Sequence, residues 1–308
     1  MVRISGFTDE YSSDLSLQIE ICKELGMKYM CPRSVNGKSI ADYSYEEFMD
    51  KVKPVLDKEG IKFSSIGSPI GKIGLYNEDA YKEQLKKLET LVKIAQAMEC
   101  KYIRVFSFFV DQRDNYAGYT PEVIRKMKGF LEKVEGTDVI LIHENEKKIY
   151  GDVPERAIEI YEGVNHPNLK LCYDASNYIQ CNVDPYDAYL KTRDYTVYYH
   201  MKDCLDGVEV PLGLGQGRIE DILKDLRERE YNGFLTMEPH TWKYALLKKA
   251  FYLCPLFSLA IKNSYRVFKY VDKTMNIKSM QKVSRKDVFV WQYSQLDALM
   301  DKVGMNKD

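Results

Sequence analysis

Val139-Ile140-Leu141-Ile142-His143-Glu144 is a short apolar run that ends on a carboxylate. A run of this length and character reads as a buried strand. Three later runs close in the same way: Leu171-Cys172-Tyr173-Asp174, Val197-Tyr198-Tyr199-His200 and Phe234-Leu235-Thr236-Met237-Glu238. Their last residues lie 30, 26 and 38 positions apart, the length of a strand-plus-helix unit. If the runs are neighbouring parallel strands, Glu144, Asp174, His200 and Glu238 gather at the carboxyl ends of one sheet. Three carboxylates and an imidazole meeting there suit one divalent cation of the hard-to-borderline kind, Mn²⁺, Co²⁺, Zn²⁺ or Mg²⁺. Without a cation the carboxylates would repel one another.

Working outward, strand-like and helix-like segments alternate along the chain. Candidate strands are 3–7, 28–31, 61–66, 101–106, 138–143, 169–173, 195–199 and 233–237. The clearest helical pattern is 78–99, with Leu85, Leu88, Leu91, Val92 and Ala95 at helical spacing. Thr120-Pro121-Glu122 and Asp152-Val153-Pro154-Glu155 read as helix starts, each with a capping oxygen, a proline and an acidic first turn. Eight strands with intervening helices predict an α/β fold, a (β/α)₈ TIM barrel over 1–245, whose chemistry belongs at the carboxyl ends of the strands. A doubly wound open sheet wants a glycine fingerprint after the first strand, and Gly6-Phe7-Thr8-Asp9 is not one.

Residues 246–308 predict a helical C-terminal extension. From 241 onward there are thirteen Lys or Arg, five Asp and no Glu, and the apolar positions suggest helices around 244–272 and 290–303. Such an extension would close the barrel or pack on a partner subunit, in a homo-oligomer or a hetero-complex; an anion-attracting surface is the alternative.

The formal charge of −1 and 45% hydrophobic content suggest neither nucleic acid nor membrane as a partner. Met1-Val2-Arg3-Ile4-Ser5-Gly6 has no charged leader, and the apolar stretch 251–261 is broken by Pro255 and too short to span a bilayer. Seven cysteines without a C-x-x-C point to buried thiols in a reducing, cytoplasmic setting.

Several segments occur together in a familiar order: Gly6-Phe7-Thr8-Asp9-Glu10, Ile66-Gly67-Ser68-Pro69-Ile70-Gly71-Lys72, His143-Glu144-Asn145-Glu146-Lys147, Tyr173-Asp174-Ala175-Ser176-Asn177, His200-Met201-Lys202-Asp203 and Met237-Glu238-Pro239-His240. The set resembles the sugar phosphate isomerase/epimerase group of the xylose-isomerase-like TIM barrels over roughly residues 1–245. The resemblance implies that Glu144, Asp174, His200 and Glu238 are metal ligands and that Glu144 and Glu238 double as an acid/base pair. It implies a carbohydrate substrate, deprotonated beside a carbonyl through a metal-stabilised enediolate. Where relatives place a substrate-binding histidine this chain has Asn177, and near the second strand it has Cys31-Pro32-Arg33 instead of a Glu before an Arg. A lyase or dehydratase acting on a keto-sugar, inosose or keto-glycoside is the second expectation. A non-catalytic metal-dependent carbohydrate-binding or assembly subunit is the third. A trinuclear nuclease centre needs more histidines than His143, His166, His200 and His240.

Parity along the strands sorts the neighbours. Lys202 projects to the same side as His200 and could hold a substrate oxygen or phosphate, or pair with Asp203. His143 should face the helical layer as a packed, satisfied imidazole, with a catalytic or supporting role behind the ligands as the alternative. His240 can reach the pocket. Arg218, after Gly213-Leu214-Gly215-Gln216-Gly217, would ride a flexible loop over the site, and Lys72 would stand at the mouth. Tyr150 and Tyr178 lie in loops next to the proposed ligands.

Overall fold

Alternation along four of the strands divides the core in two. Ile142, Cys172, Tyr198 and Phe234 form one buried cluster, joined by Tyr29, Tyr102 and Ile140. Their opposite-parity neighbours Leu141, Tyr173, Tyr199 and Leu235 belong to a much larger cluster shared with the helices. That is the pattern of a sheet curled on itself, with one face inward and the other under a helical coat. The protein is described by a computed structural model covering residues 1–111, 116–241, 244–246, 248, 262–278 and 281–308.

The barrel strands are β1 (Arg3–Gly6), β2 (Tyr29–Met30), β3 (Lys62–Phe63), β4 (Tyr102–Val105), β5 (Ile140–Glu144), β6 (Leu169–Asp174), β7 (Thr196–Met201) and β8 (Phe234–Met237). Strands β4 to β8 and then β1 form one six-stranded parallel sheet, and β2 pairs with β3 in parallel. Backbone hydrogen bonds close the ring: Cys31 N donates to Gly6 O at 2.9 Å, Ile66 N to Tyr102 O at 2.9 Å and Arg104 N to Ile66 O at 2.9 Å. The predicted TIM barrel is therefore present, with its strands within a few residues of the expected bounds.

The predicted helix at 78–99 runs Glu78–Ala97, and Asn77 caps it by accepting from Ala80 N at 3.0 Å. The two proline-marked helices start at Thr120 and Pro154, but neither has a side-chain cap. Tyr119 and Val153 occupy the cap positions. Thr120 Oγ1 meets the Tyr150 hydroxyl at 2.5 Å instead, and Asp152 pairs with Arg156. Proline and the acidic first turn carried that signal, while the capping oxygens found other partners, one distant in the chain and one four residues on.

The described part of the C-terminal region holds helices Lys262–Thr274 and Arg285–Lys302, the second with a full capping box between Ser284 and Asp287. Residues 249–261, within the helix expected over 244–272, and Cys254 lie outside the described residues. Helix 285–302 packs into the main core through Phe289, Leu296 and Met300. Its buried Gln292 donates to Met201 O at 2.8 Å and accepts from Leu212 N at 3.1 Å, a tie to β7 beside the site. Helix 262–274 contributes Val267, Phe268 and Val271 to a satellite core with Val210, from the hairpin Asp203–Leu205/Val208–Val210. Among the described residues no helix is long and apolar enough to cross a membrane.

Candidate metal centre

The parallel register sets Glu144, Asp174 and His200 at the ends of adjacent strands, with Asp174 paired to His200 and Glu144 to Cys172. Glu238 follows β8, whose Thr236 pairs with His200. All four side chains enter the barrel, and each is 3% exposed or less. One ligand atom from each lies within 4.8 Å of the others. His200 Nδ1 is 2.9 Å from Glu144 Oε1 and 3.3 Å from Glu238 Oε2.

Cations surround this quartet. Lys202 Nζ is 2.9 Å from Asp174 Oδ2 and 3.4 Å from Glu238 Oε2. Arg104, on β4, puts Nη1 3.1 Å from Glu144 Oε2 and 3.7 Å from Glu238 Oε1. Arg33, just past β2, reaches Glu238 Oε1 at 3.3 Å, Glu10 Oε1 at 3.1 Å and Asp9 Oδ2 at 2.9 Å. Phe7 underlies both arginines: its ring lies 4.7 Å from the Arg33 guanidinium and 5.1 Å from that of Arg104, and it meets the His200 ring edge-on at 5.0 Å. Gly67 makes room for this stack, since a Cβ there would fall 2.7 Å from Phe7 Cε1 and 2.9 Å from Arg33 Cγ.

The charges explain the protonation states. Burial would raise the Glu144 carboxyl, but the charges of His200 and Arg104 outweigh it and hold the group at about 2. Glu238 is likewise held well below the usual carboxylate range against its burial, chiefly by Lys202. Asp174 is pushed up to about 7 by burial, with Lys202 opposing and the neighbouring glutamates adding to the rise. Burial also lifts Glu10 to about 7 and lowers His240 to about 3.

The residues present fit a divalent cation. Five carboxylates, Asp9, Glu10, Glu144, Asp174 and Glu238, face the three permanent cations Arg33, Arg104 and Lys202. The carboxylates thus outnumber the fixed cations by two, and the rise of Asp174 and Glu10 to about 7 reflects the cost of leaving such an excess uncompensated in a buried site. Asp174 Oδ2 is buried and completes no hydrogen bond despite the nearby ammonium.

Among the other predicted site residues, Asn177 is buried beside the quartet, its Nδ2 donating to Glu144 Oε1 at 3.3 Å and Asn145 O at 2.8 Å. Lys202 pairs with Asp174 and Glu238 and not with Asp203. His240 lies at the mouth in a left-handed backbone conformation (φ 47°), its N–H donating to Glu10 Oε2 at 2.7 Å. Its Nδ1 is 3.6 Å from Glu10 and 3.8 Å from Glu238. Lys72 stands at the rim, 3.0 Å from Glu146 and over the Phe106 ring.

Arg218 is not brought to the site. Its half-exposed side chain bonds Asp221 at 2.5 Å and lies over Tyr186. The glycine-rich loop before it is tied down rather than free. Gly213, Gly215 and Gly217 N–H groups all donate to the buried Asp203 carboxylate at 2.9–3.0 Å. A Cβ on Gly215 would fall 2.3 Å from Asp203 Oδ1.

His143 faces the helical layer as parity predicts, but neither ring nitrogen makes a hydrogen bond, so it is not a satisfied histidine. Burial lowers it to about 4. The Tyr150 hydroxyl bonds Glu159 at 2.5 Å and Tyr178 packs on Tyr173.

Sequence reasoning missed Arg104, Phe7 and Glu10 as site residues, and noted Arg33 only as a departure from relatives. The available signal was Arg104 itself, a lone charge inside the apolar run Tyr102-Ile103-Arg104-Val105-Phe106.

Comparison with known proteins agrees with this architecture. A family model described as xylose isomerase-like TIM barrel matches residues 13–250. A curated relative, 3-dehydroshikimate dehydratase of Bacillus anthracis, is 22% identical over 182 residues, 53% of this chain; the match spans 65% of that protein, less than two thirds of its length. Among solved structures, an IOLI protein with a bound zinc atom superposes with a TM-score of 0.71 at 14% identity, covering 98% of this chain and 99% of the other. D-allulose 3-epimerase from Methylomonas sp., in complex with D-allulose, gives 0.62 at 14% identity over 77% of this chain and 84% of the other. At these identities the structural likeness is one of fold.

Proposed function

The chain belongs to the xylose isomerase-like TIM barrel family, and from that premise we propose that it is a divalent-metal-dependent sugar or sugar phosphate isomerase or epimerase. It would move a proton at the carbon next to the substrate carbonyl. The observation that carries this reading is the buried quartet of Glu144, Asp174, His200 and Glu238, at the barrel end where such folds carry their chemistry. These four residues would hold one Mn²⁺, Co²⁺, Zn²⁺ or Mg²⁺, which would supply Lewis acidity toward a carbonyl oxygen.

The chain's own residues supply the rest. Burial keeps water from the quartet and strengthens each electrostatic contact within it. Glu144 and Glu238 are assigned as proton acceptor and donor. The cations beside them hold both ionised at rest, so either can accept; the one that takes the substrate proton becomes an acid strong enough to return it, and the other could donate only after taking up a proton of its own. Asn177 Nδ2, Lys202 Nζ and His240 are assigned to orient substrate oxygens, with Lys72 at the rim for a more distant group.

A lyase acting on a keto-sugar, inosose or keto-glycoside is the second reading. The relative named as a dehydratase favours it, and so do the cations on both glutamates. Elimination needs one proton acceptor beside a leaving group, whereas epimerisation needs two groups that exchange protons readily.

The test is turnover of a panel of ketoses, sugar phosphates and inososes with Mn²⁺ or Co²⁺, read by mass spectrometry. A new isomer of unchanged mass supports the first reading, and loss of water or an aglycone the second. Activity that survives in Glu144→Gln and in Glu238→Gln would count against both.

A further inference from the structure

The proposed chemistry gives Arg104 no part beyond its charge, yet its side chain is held on several sides. It enters the barrel from β4 and is 5% exposed. Its guanidinium lies 5.1 Å from the Phe7 ring and 4.9 Å from the Phe106 ring. Nη2 donates to Gly67 O at 3.1 Å and Nε to Ser68 O at 3.4 Å. Two rings and two carbonyls fix the plane of the group, and Nη1 is left facing Glu144 Oε2 and Glu238 Oε1.

Each glutamate therefore turns its two oxygens to different neighbours, although Glu144 Oε2 completes no hydrogen bond with the guanidinium 3.1 Å away and is held by charge alone. Glu144 Oε1 and Glu238 Oε2 face His200 Nδ1. Glu144 Oε2 faces Arg104, and Glu238 Oε1 faces Arg104 and Arg33. We infer that Arg104 is a positioning residue that restricts Glu144 and Glu238 to one oxygen each toward a bound cation. This rests on the metal reading above and goes beyond it. A carboxylate can bind a cation through one oxygen or through both. If both glutamates used both oxygens, they would fill the places around the cation that a substrate carbonyl and its neighbouring hydroxyl need. Lysine could not do the same work, because a point charge lacks the planar fork.

The test has two arms, both on the full chain. In the first, wild type, Arg104→Met and Arg104→Lys are titrated with Co²⁺ and the visible spectrum is recorded. Ligand number sets the geometry and hence the band intensity, which is expected to fall by roughly half or more in Arg104→Met as the carboxylates turn to bind through both oxygens. Arg104→Lys is expected to follow Arg104→Met. A band that is the same in all three proteins overturns the inference.

The second arm needs no metal: thermal melting of Arg104→Met, Glu144→Gln and the double variant in chelator. Removing one partner strands the other, so the double variant is expected to melt no lower than Arg104→Met alone. Losses that add overturn the clamp. A wild type that takes up no Co²⁺ would count against the metal centre, and the melting cycle would still decide the clamp.

Discussion

Strands β5 to β8 bring Glu144, Asp174, His200 and Glu238 to the barrel mouth, whereas β1 to β4 bring Phe7, Arg33 and Arg104. One half sets three acids and an imidazole around Lys202, and the other sets two guanidinium groups on an aromatic ring, with Asp9 and Glu10 beside Arg33. Neither half could be buried alone. The carboxylates would repel one another, and Arg104 would lose its carboxylate neighbours Glu144 and Glu238, although Arg33 keeps Asp9 and Glu10 from its own half. Together the carboxylates outnumber the fixed cations, the condition a divalent cation meets. The comparison also separates tasks: the later strands supply groups that can hold a cation and move protons, and the earlier strands fix how those groups are turned.

The largest effect that would break this division is at Phe7, fully buried under both arginines and against His200. Phe7→Ala is expected to cost about 3–5 kcal/mol of stability in denaturant unfolding. It should also weaken metal affinity, because the arginines lose their platform. A variant that loses less than about 1 kcal/mol would mean that the earlier half does not need its ring.

His143 sharpens the comparison from behind β5. Its folded-state value of about 4 lies below the ordinary 6.5 because burial penalises the charged ring. Between those values the unfolded chain binds more protons than the folded one, so stability is full above pH 6.5 and falls as pH drops toward 4. The loss is about 3 kcal/mol at most. His143→Gln should flatten that part of the stability profile relative to wild type. Parallel profiles across this window would contradict the assignment.

The smallest effect belongs to Lys72, in the earlier half but at its exposed rim. Its pair with Glu146 is partly solvated, so Lys72→Met should change stability by no more than about 1 kcal/mol. If Lys72 contacts substrate, the variant raises KM and leaves kcat nearly unchanged.

The two halves were not equally legible in the sequence. Glu144, Asp174, His200 and Glu238 each close an apolar run, and their spacing repeats the barrel unit, so strand, fold and the gathering of these four side chains could be read together. Parity then placed Lys202 inward and His143 outward. Arg33 and Arg104 were harder, because arginine is usually exposed and its burial depends on partners distant in the chain, such as Glu238 and Phe7. The same cause misplaced Arg218. Asp203 gathers the amides of Gly213, Gly215 and Gly217, and that contact fixes a loop whose glycines alone suggest mobility. The missing caps at Tyr119 and Val153 repeat the lesson on a smaller scale, since Thr120 and Asp152 spend their oxygens on Tyr150 and Arg156.

The most direct test of the central claim is the metal content of the purified protein by mass spectrometry, for wild type and for Asp174→Ala combined with His200→Ala. The account predicts close to one Mn, Co, Zn or Fe per wild-type chain, and none in the double variant. No metal in wild type after incubation with excess Mn²⁺ or Co²⁺, or equal metal in both proteins, would contradict it.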